Sequence, residues 1–558
     1  MNTTFCTFDL ETMSNPTLTN SKFTPLSSPC YEGNDNNGTM ASSSAAPILL
    51  QHQTFTLDPT RYLVLLSFCL LTLSSAWQWI TWSPLNSTNL LSNYWNLNED
   101  HGQAYIDELS AVYMYVFVPG SFVALWLLVN HFGLRKGLLT GGLLNAIGSI
   151  IRYQYHSSYK MVFIGTFFCA LGQCFTLATP PFIAGVWFGS KERGIATALG
   201  VLANQLGTAL GLGASIYIDF EVHVLPNGNQ EGDSSITEVL NEDILKMYLR
   251  IQMITAIAAL ASIYAVVYAD EPLTPPSVAA LLLRRAKNKA LLVDIENLHS
   301  HAIISLTRLD GTTLAVNESK PFLKTLHGTS CEKSIVTASC PTSESTEPGI
   351  PLRYMESITM ALRNRSFLAF SIVFGLQVGV FYTIPAFLPQ FVAGWSLKEI
   401  GWLGFIYQMA GVSGTLLIGN AMDIFQNHKM LMQLLLAGSL VSIASFIVSI
   451  GHLDSTLLSI AEVSWSRVRI YLSSSSIGFC LAALNTVGFE FGASVAYPCD
   501  EAALSGLMEC LAELCGFILV SIGGQMSSNV AFICIMFGVL IASQLIILTT
   551  RIESRRPK

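Results

Sequence analysis

Twelve stretches of roughly 18 to 25 mostly apolar residues recur along the chain, each long enough to cross a hydrocarbon core of about 30 Å. They fall near 62–85, 109–130, 137–153, 161–188, 194–219 and 247–269, and again near 366–392, 400–419, 430–452, 467–492, 502–524 and 528–549. A bilayer offers no water to stray backbone groups, so each stretch reads as a membrane-spanning helix. Charged residues make up 12% of the 558, about half the roughly 25% of a soluble globular chain, which excludes an ordinary soluble enzyme. The expected fold is an all-α membrane protein: twelve transmembrane helices in two pseudo-symmetric six-helix bundles, 61–269 and 366–549.

The flanks are polar. Residues 1–60, rich in Ser, Thr, Asn and Pro, bury too little surface to offset chain entropy and are expected to be a disordered tail. MNTTFCTFDL lacks a basic and then apolar leader, so no cleavable signal is expected and the first span directs insertion. Residues 270–365, with RRAKNK at 284–289 and PTSESTEP at 341–348, read as a central loop, and 550–558 as a short tail. If every stretch crosses once, 22 of the 29 Lys and Arg fall on the side of the termini and central loop, so the positive-inside rule places all three in the cytoplasm. None of the twelve Cys falls in an outer loop, so no disulfide framework is implied. Asn86-Ser87-Thr88 is a candidate glycosylation sequon just outside the first span.

Two similar halves should repeat their polar signals at matched depths, around a site between the bundles near the midplane. The turn after the second helix runs from Asn130 through Arg135 and Lys136, and the turn after the eighth carries Gly419, Asp423 and Lys429. Both resemble the degenerate G-x-x-x-D-x-x-x-x-[RK] signature of the major facilitator superfamily, which implies gating roles for Asn130, Arg135 and Asp423. The first copy lacks the Gly and has Asn130 in place of Asp. Trp79 and Tyr382 lie at matching depths in the first and seventh spans, as do Gln205 and Glu513 in the fifth and eleventh. A charge left in hydrocarbon costs at least ~2.5 kcal/mol, so Glu513 and Glu509, four residues apart on one helical face, should face a cavity or be protonated. Glu513 is the candidate for substrate contact or proton coupling; Glu509 and Glu490 are candidates for gating, Glu509 by pairing with a loop Lys or Arg.

Several strings resemble one family of that superfamily, the feline leukaemia virus subgroup C receptor-related transporters of choline and ethanolamine, earlier described as haem exporters. They are Trp77-Gln78-Trp79-Ile80, Trp187-Phe188-Gly189 with Lys191-Glu192, Ala203-Asn204-Gln205-Leu206-Gly207, Gly379-Val380-Phe381-Tyr382, and Gly488-Phe489-Glu490-Phe491 followed by Tyr497-Pro498, Glu501 and Ser505-Gly506. The resemblance implies a substrate cage of Trp79 and Tyr382, with Gln205 at the polar end. A quaternary ammonium has no N–H to donate and is best held by aromatic faces. Where the family carries Asn and Gln in helix eleven, this chain has Glu509 and Glu513, which favours a cation or a coupled proton.

The leading expectation is an alternating-access, facilitative carrier of choline, ethanolamine or a related small organic cation. The alternatives are a haem or porphyrin exporter and a proton-coupled carrier using Glu513. All ten His fall in tails, loops or helix ends, which lowers the haem reading. No nucleotide-binding, metalloprotease or paired C-x-x-C motif appears, so neither enzyme activity nor a cofactor is expected. The expected setting is a monomer in the plasma membrane, with lipid and the organic cation, but no nucleic acid, as partners.

Overall fold

In the computed structural model, the described residues are 57–86, 90–97, 102–189, 192–218, 220–226, 234–276, 281, 284, 354–424, 427–453, 460–497, 499, 501–526 and 528–550. The tail as far as residue 56, Ser87 and Thr88, most of the central loop including all of its basic cluster but Arg284, and residues 551–558 lie outside them.

The first half is built from Arg61–Trp79, prolonged by a 3-10 turn at Ser83–Leu85, then Gly102–Leu127, Gly133–Gln154, the pair Tyr159–Gln173 and Pro180–Trp187, Arg193–Leu212, and Glu242–Val266. The second half comprises Arg365–Phe391, Leu397–Ile424, His428–Leu453, Ile460–Val495, Glu501–Gly523 and Asn529–Thr549. Among the described residues ten helices are individually long and apolar enough to cross a membrane. The other two passes are the third and fourth, for separate reasons. The third carries Arg135, Lys136 and Arg152 near its ends and Asn145 in its middle, which dilutes its hydropathy. The fourth breaks at Pro180-Pro181: proline lacks the N–H an inner turn needs, but fits a helix's first residues, so the chain turns at 174–179 and restarts.

Two features lie outside the spans. Phe220–Pro226 (β1) and Ser234–Leu240 (β2) pair antiparallel between the fifth and sixth passes, with Phe220 opposite Leu240, a short ribbon on an otherwise helical chain. The end of the expected central loop is helical at Tyr354–Arg363, where Ile358 and Ala361 are buried while Met355 and Leu362 are exposed, the pattern of an amphipathic surface helix.

Packing repeats at an offset of six helices. The first pass packs on the fifth and sixth, the second on the fourth, and the third on the fourth and sixth; the seventh packs on the eleventh and twelfth, the eighth on the tenth, and the ninth on the tenth and twelfth. The halves meet where the fifth pass crosses the eighth and the second crosses the eleventh, which are equivalent contacts under the same repeat. Glycine permits the closest of these approaches: a Cβ at Gly207 would collide with the Leu73 carbonyl between passes five and one, and at Gly379 it would meet the Cys515 backbone between passes seven and eleven.

Candidate functional site

The repeat leaves a narrow cavity between the halves: about 490 Å³ of non-protein space counting its open mouth, of which only about 20 Å³ is open to the centre of a water molecule, room for a water but not for an organic cation. Its wall draws on both bundles: Thr72, Trp79, Asn204 and Gln205 from the first, Tyr382, Gln408, Asn485 and Glu509 from the second. Trp79 is fixed by its indole N–H, which donates to the Ser110 carbonyl at 3.2 Å. Its ring meets Tyr382 edge to face across the interface, with centroids 5.6 Å apart and planes at 77°. A cation held on both rings needs to sit within about 6 Å of each centroid, over a face. In this edge-to-face contact the edge of one ring covers a face of the other, and no gap is left between them for a guest.

The polar side is acceptor-rich. The Tyr382 hydroxyl donates to Glu509 Oε2 over a long 3.4 Å. The Gln205 amide and Thr415 hydroxyl pair at 3.2 and 3.3 Å, joining the fifth and eighth passes. Gln408 Oε1 and Asn485 Oδ1 are buried without a hydrogen-bond partner, and the lining residues include no Lys, Arg or His.

Both ends of the interface are tied across. At one end Arg193 Nη2 and Glu501 Oε2 form a 2.6 Å ion pair, and the Ser505 hydroxyl donates to the Ala178 carbonyl at 3.1 Å. At the other, Ser83 Oγ lies 2.9 Å from the carbonyls of both Pro385 and Ala386, and Asp107 accepts from Asn86 at 2.8 Å and Gln390 at 3.2 Å. The halves are thus latched together on both sides of the cavity. Outside the spans, the Glu192 carboxylate is held below its ordinary pKa chiefly by the Arg61 guanidinium, which donates to it.

Trp79, Tyr382, Gln205 and Glu509 come together at one site. Neither carboxylate lies where the sequence reading expected it. Glu509, expected at a gate with a loop Lys or Arg, faces the cavity under Tyr382. Glu513 is one helical turn beyond it, does not line the cavity, and accepts from Gln173 of the fourth pass at 3.3 Å. Glu490 is exposed near the end of its helix and, unlike its neighbour Phe489, is not among the lining residues. The Arg135 backbone N–H donates to Asp270 at 2.8 Å and its guanidinium to the Tyr268 carbonyl at 3.2 Å. Gly133, at φ 72°, turns the chain into that contact, and a Cβ there would strike the Asp270 carboxylate. Asn130 lies in a π-helical turn and Asp423 is still helical, and both side chains lie outside the described residues. The Asn86 amide nitrogen, which glycosylation would have to reach, is buried and committed to Asp107 and the Gln103 carbonyl.

Sequence reasoning missed Gln173, Gln408, Thr415 and Asn485, as well as the Arg193–Glu501 and Asp107 latches. Each of the four is a polar side chain inside an apolar pass, and that signal was followed only for carboxylates and for Gln205.

Twelve passes in two like bundles around a polar, aromatic-walled cavity define a membrane carrier. A family model described as Major Facilitator Superfamily matches residues 64–524, and the chain belongs to that superfamily. It is 28% identical over 472 residues to the choline/ethanolamine transporter flvcr2a of Danio rerio, covering 83% of this chain and 80% of the relative. It is 25% identical over 480 residues to the choline/ethanolamine transporter FLVCR2 of Homo sapiens, covering 84% and 72%. Among solved structures, the xylose transporter XylE from E. coli, in a partially occluded inward open conformation, shares the fold at a TM-score of 0.57 and 13% identity, over 90% of this chain and 100% of that one.

Proposed function

We propose that this transporter carries choline, ethanolamine or a related small organic cation by alternating access, with Trp79 and Tyr382 parting to take the ammonium group between them. The observation that carries the reading is the Trp79–Tyr382 pair, one ring from each bundle, in contact over a cavity that also holds the Glu509 carboxylate. Aromatic faces attract a quaternary ammonium by ~0.5 to 2 kcal/mol per contact, most strongly where water is excluded. Gln205 and the open acceptors of Gln408 and Asn485 suit the hydroxyl of such a substrate. The choline/ethanolamine transport for which the relatives are named agrees with this chemistry.

In this reading the Arg193–Glu501 end faces the cytoplasm with both termini and the central loop, and a monomer in the plasma membrane suffices. Haem draws little support from the cavity: its lining residues include no His, Cys or Met, and the one axial-ligand type present, Tyr382, has its hydroxyl turned to Glu509. The test is uptake of labelled choline, ethanolamine and haem, side by side, into vesicles containing the purified chain. Saturable uptake of an ammonium compound is expected; saturable uptake of haem alone would overturn the reading.

A further inference from the structure

A carboxylate in the middle of a membrane protein needs a counter-charge or a proton. Glu509 and Glu513 are 2% and 3% exposed, on one face of the eleventh pass. Glu509 receives one long hydrogen bond from the Tyr382 hydroxyl. Glu513 accepts from the neutral Gln173 amide, and its second oxygen is buried without a partner. The titratable groups facing them are Tyr382 from the seventh pass, Cys174 from the turn that breaks the fourth, and Cys510 on their own helix. The tenth pass, also packed on this helix, supplies the neutral amide of Asn485 to the same cavity, and the second pass supplies the Ser121 hydroxyl, which meets Cys510. Among the described residues no Lys, Arg or His is in hydrogen-bond or ion-pair contact with either carboxylate.

Two acids one helical turn apart, with no protein cation, cannot both stay ionised in an empty site. Only Glu509 of the two lines the cavity, beside the orphan acceptors Gln408 Oε1 and Asn485 Oδ1. Those acceptors are what a protonated carboxyl, or a substrate bearing O–H or N–H groups, can satisfy. Among the described residues the lining offers Glu509 no positive charge, a place that the substrate's own charge can take.

We infer that Glu509 trades a proton for the substrate cation, so that the carrier is an ammonium/proton exchanger and not a simple facilitator. This rests on the cation-carrier reading above. When the cation enters, the Glu509 carboxyl releases its proton to water and the carboxylate pairs with the ammonium. When the cation leaves on the other side, water supplies a proton to Glu509, and the protonated site returns. Each cycle moves one cation one way and one proton the other, with no net charge.

The experiment uses the full chain in proteoliposomes with a trapped pH-sensitive dye, with the potential clamped by valinomycin and equal potassium. The probe is choline, whose fixed charge prevents it from carrying protons by itself. Choline entry should alkalinise the lumen with one proton leaving per choline, and an acid lumen should accelerate uptake. Glu509→Gln should abolish the pH change, while Glu509→Asp, which keeps the acid, should restore it at the same proton-to-choline ratio. Saturable choline uptake by the parent at constant lumen pH would overturn the exchange while leaving the carrier reading intact. No saturable uptake at all would defeat both. The parent measurement decides the matter even where a variant fails to fold.

Discussion

Replacing Trp79 by Leu keeps apolar bulk at the cavity wall and removes the ring face, and two opposing terms set the result. The bound cation loses a contact worth up to ~2 kcal/mol in a dry site. The empty site loses the edge-to-face contact with Tyr382, at 5.6 Å between centroids, which the cation otherwise has to displace and which is worth ~0.5 to 1.5 kcal/mol. Choline affinity alone therefore falls by only about 0.5 to 1.5 kcal/mol, a factor of roughly 2 to 13. The neutral carbon isostere of choline, 3,3-dimethylbutan-1-ol, separates the terms, because it must part the rings too but gains nothing from their quadrupoles. The ratio of choline to isostere affinity should drop by about 2 kcal/mol, close to 30-fold, in Trp79→Leu. Trp79→Phe, which loses the donor to Ser110 but keeps a face, should retain most of the discrimination. Competition of both compounds against labelled choline, on variants matched for membrane expression, reads the ratio. An unchanged ratio in Trp79→Leu would refute the cage whatever happened to uptake.

Two further outcomes follow from adjacent residues at one end of the fifth pass, Glu192 and Arg193. Arg193→Gln removes the 2.6 Å pair with Glu501, whose side chains are partly exposed, so its loss is worth about 1 kcal/mol after screening. That shifts the balance roughly fivefold towards the state open at that end, measurable as a longer spin-label distance between the fifth and eleventh passes; a charge-swapped Arg193→Glu, Glu501→Arg pair should reverse it, and an unmoved distance would dismiss the latch. Glu192→Gln removes the carboxylate that receives Arg61, and the sign of its pH dependence follows from a native pKa held below the ordinary 4.5. Its contribution is full above that value and is lost as pH falls through the native pKa, so the variant should melt earlier at neutral pH, and the gap should close in acid. A gap that persisted with Glu192 protonated would show that the ion pair is not its source.

The fold was legible because a bilayer fixes helix length, so apolar runs alone delimit most passes; Pro180-Pro181, which splits one run, the hairpin at β1 and β2, and the helix Tyr354–Arg363 in the expected central loop escaped it. The aromatic pair was legible for a related reason: with packing repeated at an offset of six, residues at equal depth in passes one and seven are brought to one level, and Trp79 meets Tyr382. Depth-matching fails for the carboxylates because it fixes a level only to within about one turn, some 5.4 Å. Glu509 and Glu513 differ by one turn and share a face, so hydropathy and periodicity treat them alike. What separates them is the neighbour each meets: Tyr382 and the cavity at one level, Gln173 across the bundle interface at the other. Charge inside this site is therefore decided by contacts between passes far apart in sequence. Such contacts can place one acid against the substrate and its neighbour against the opposite bundle, where its hydrogen bond must be made or broken each time the bundles rock.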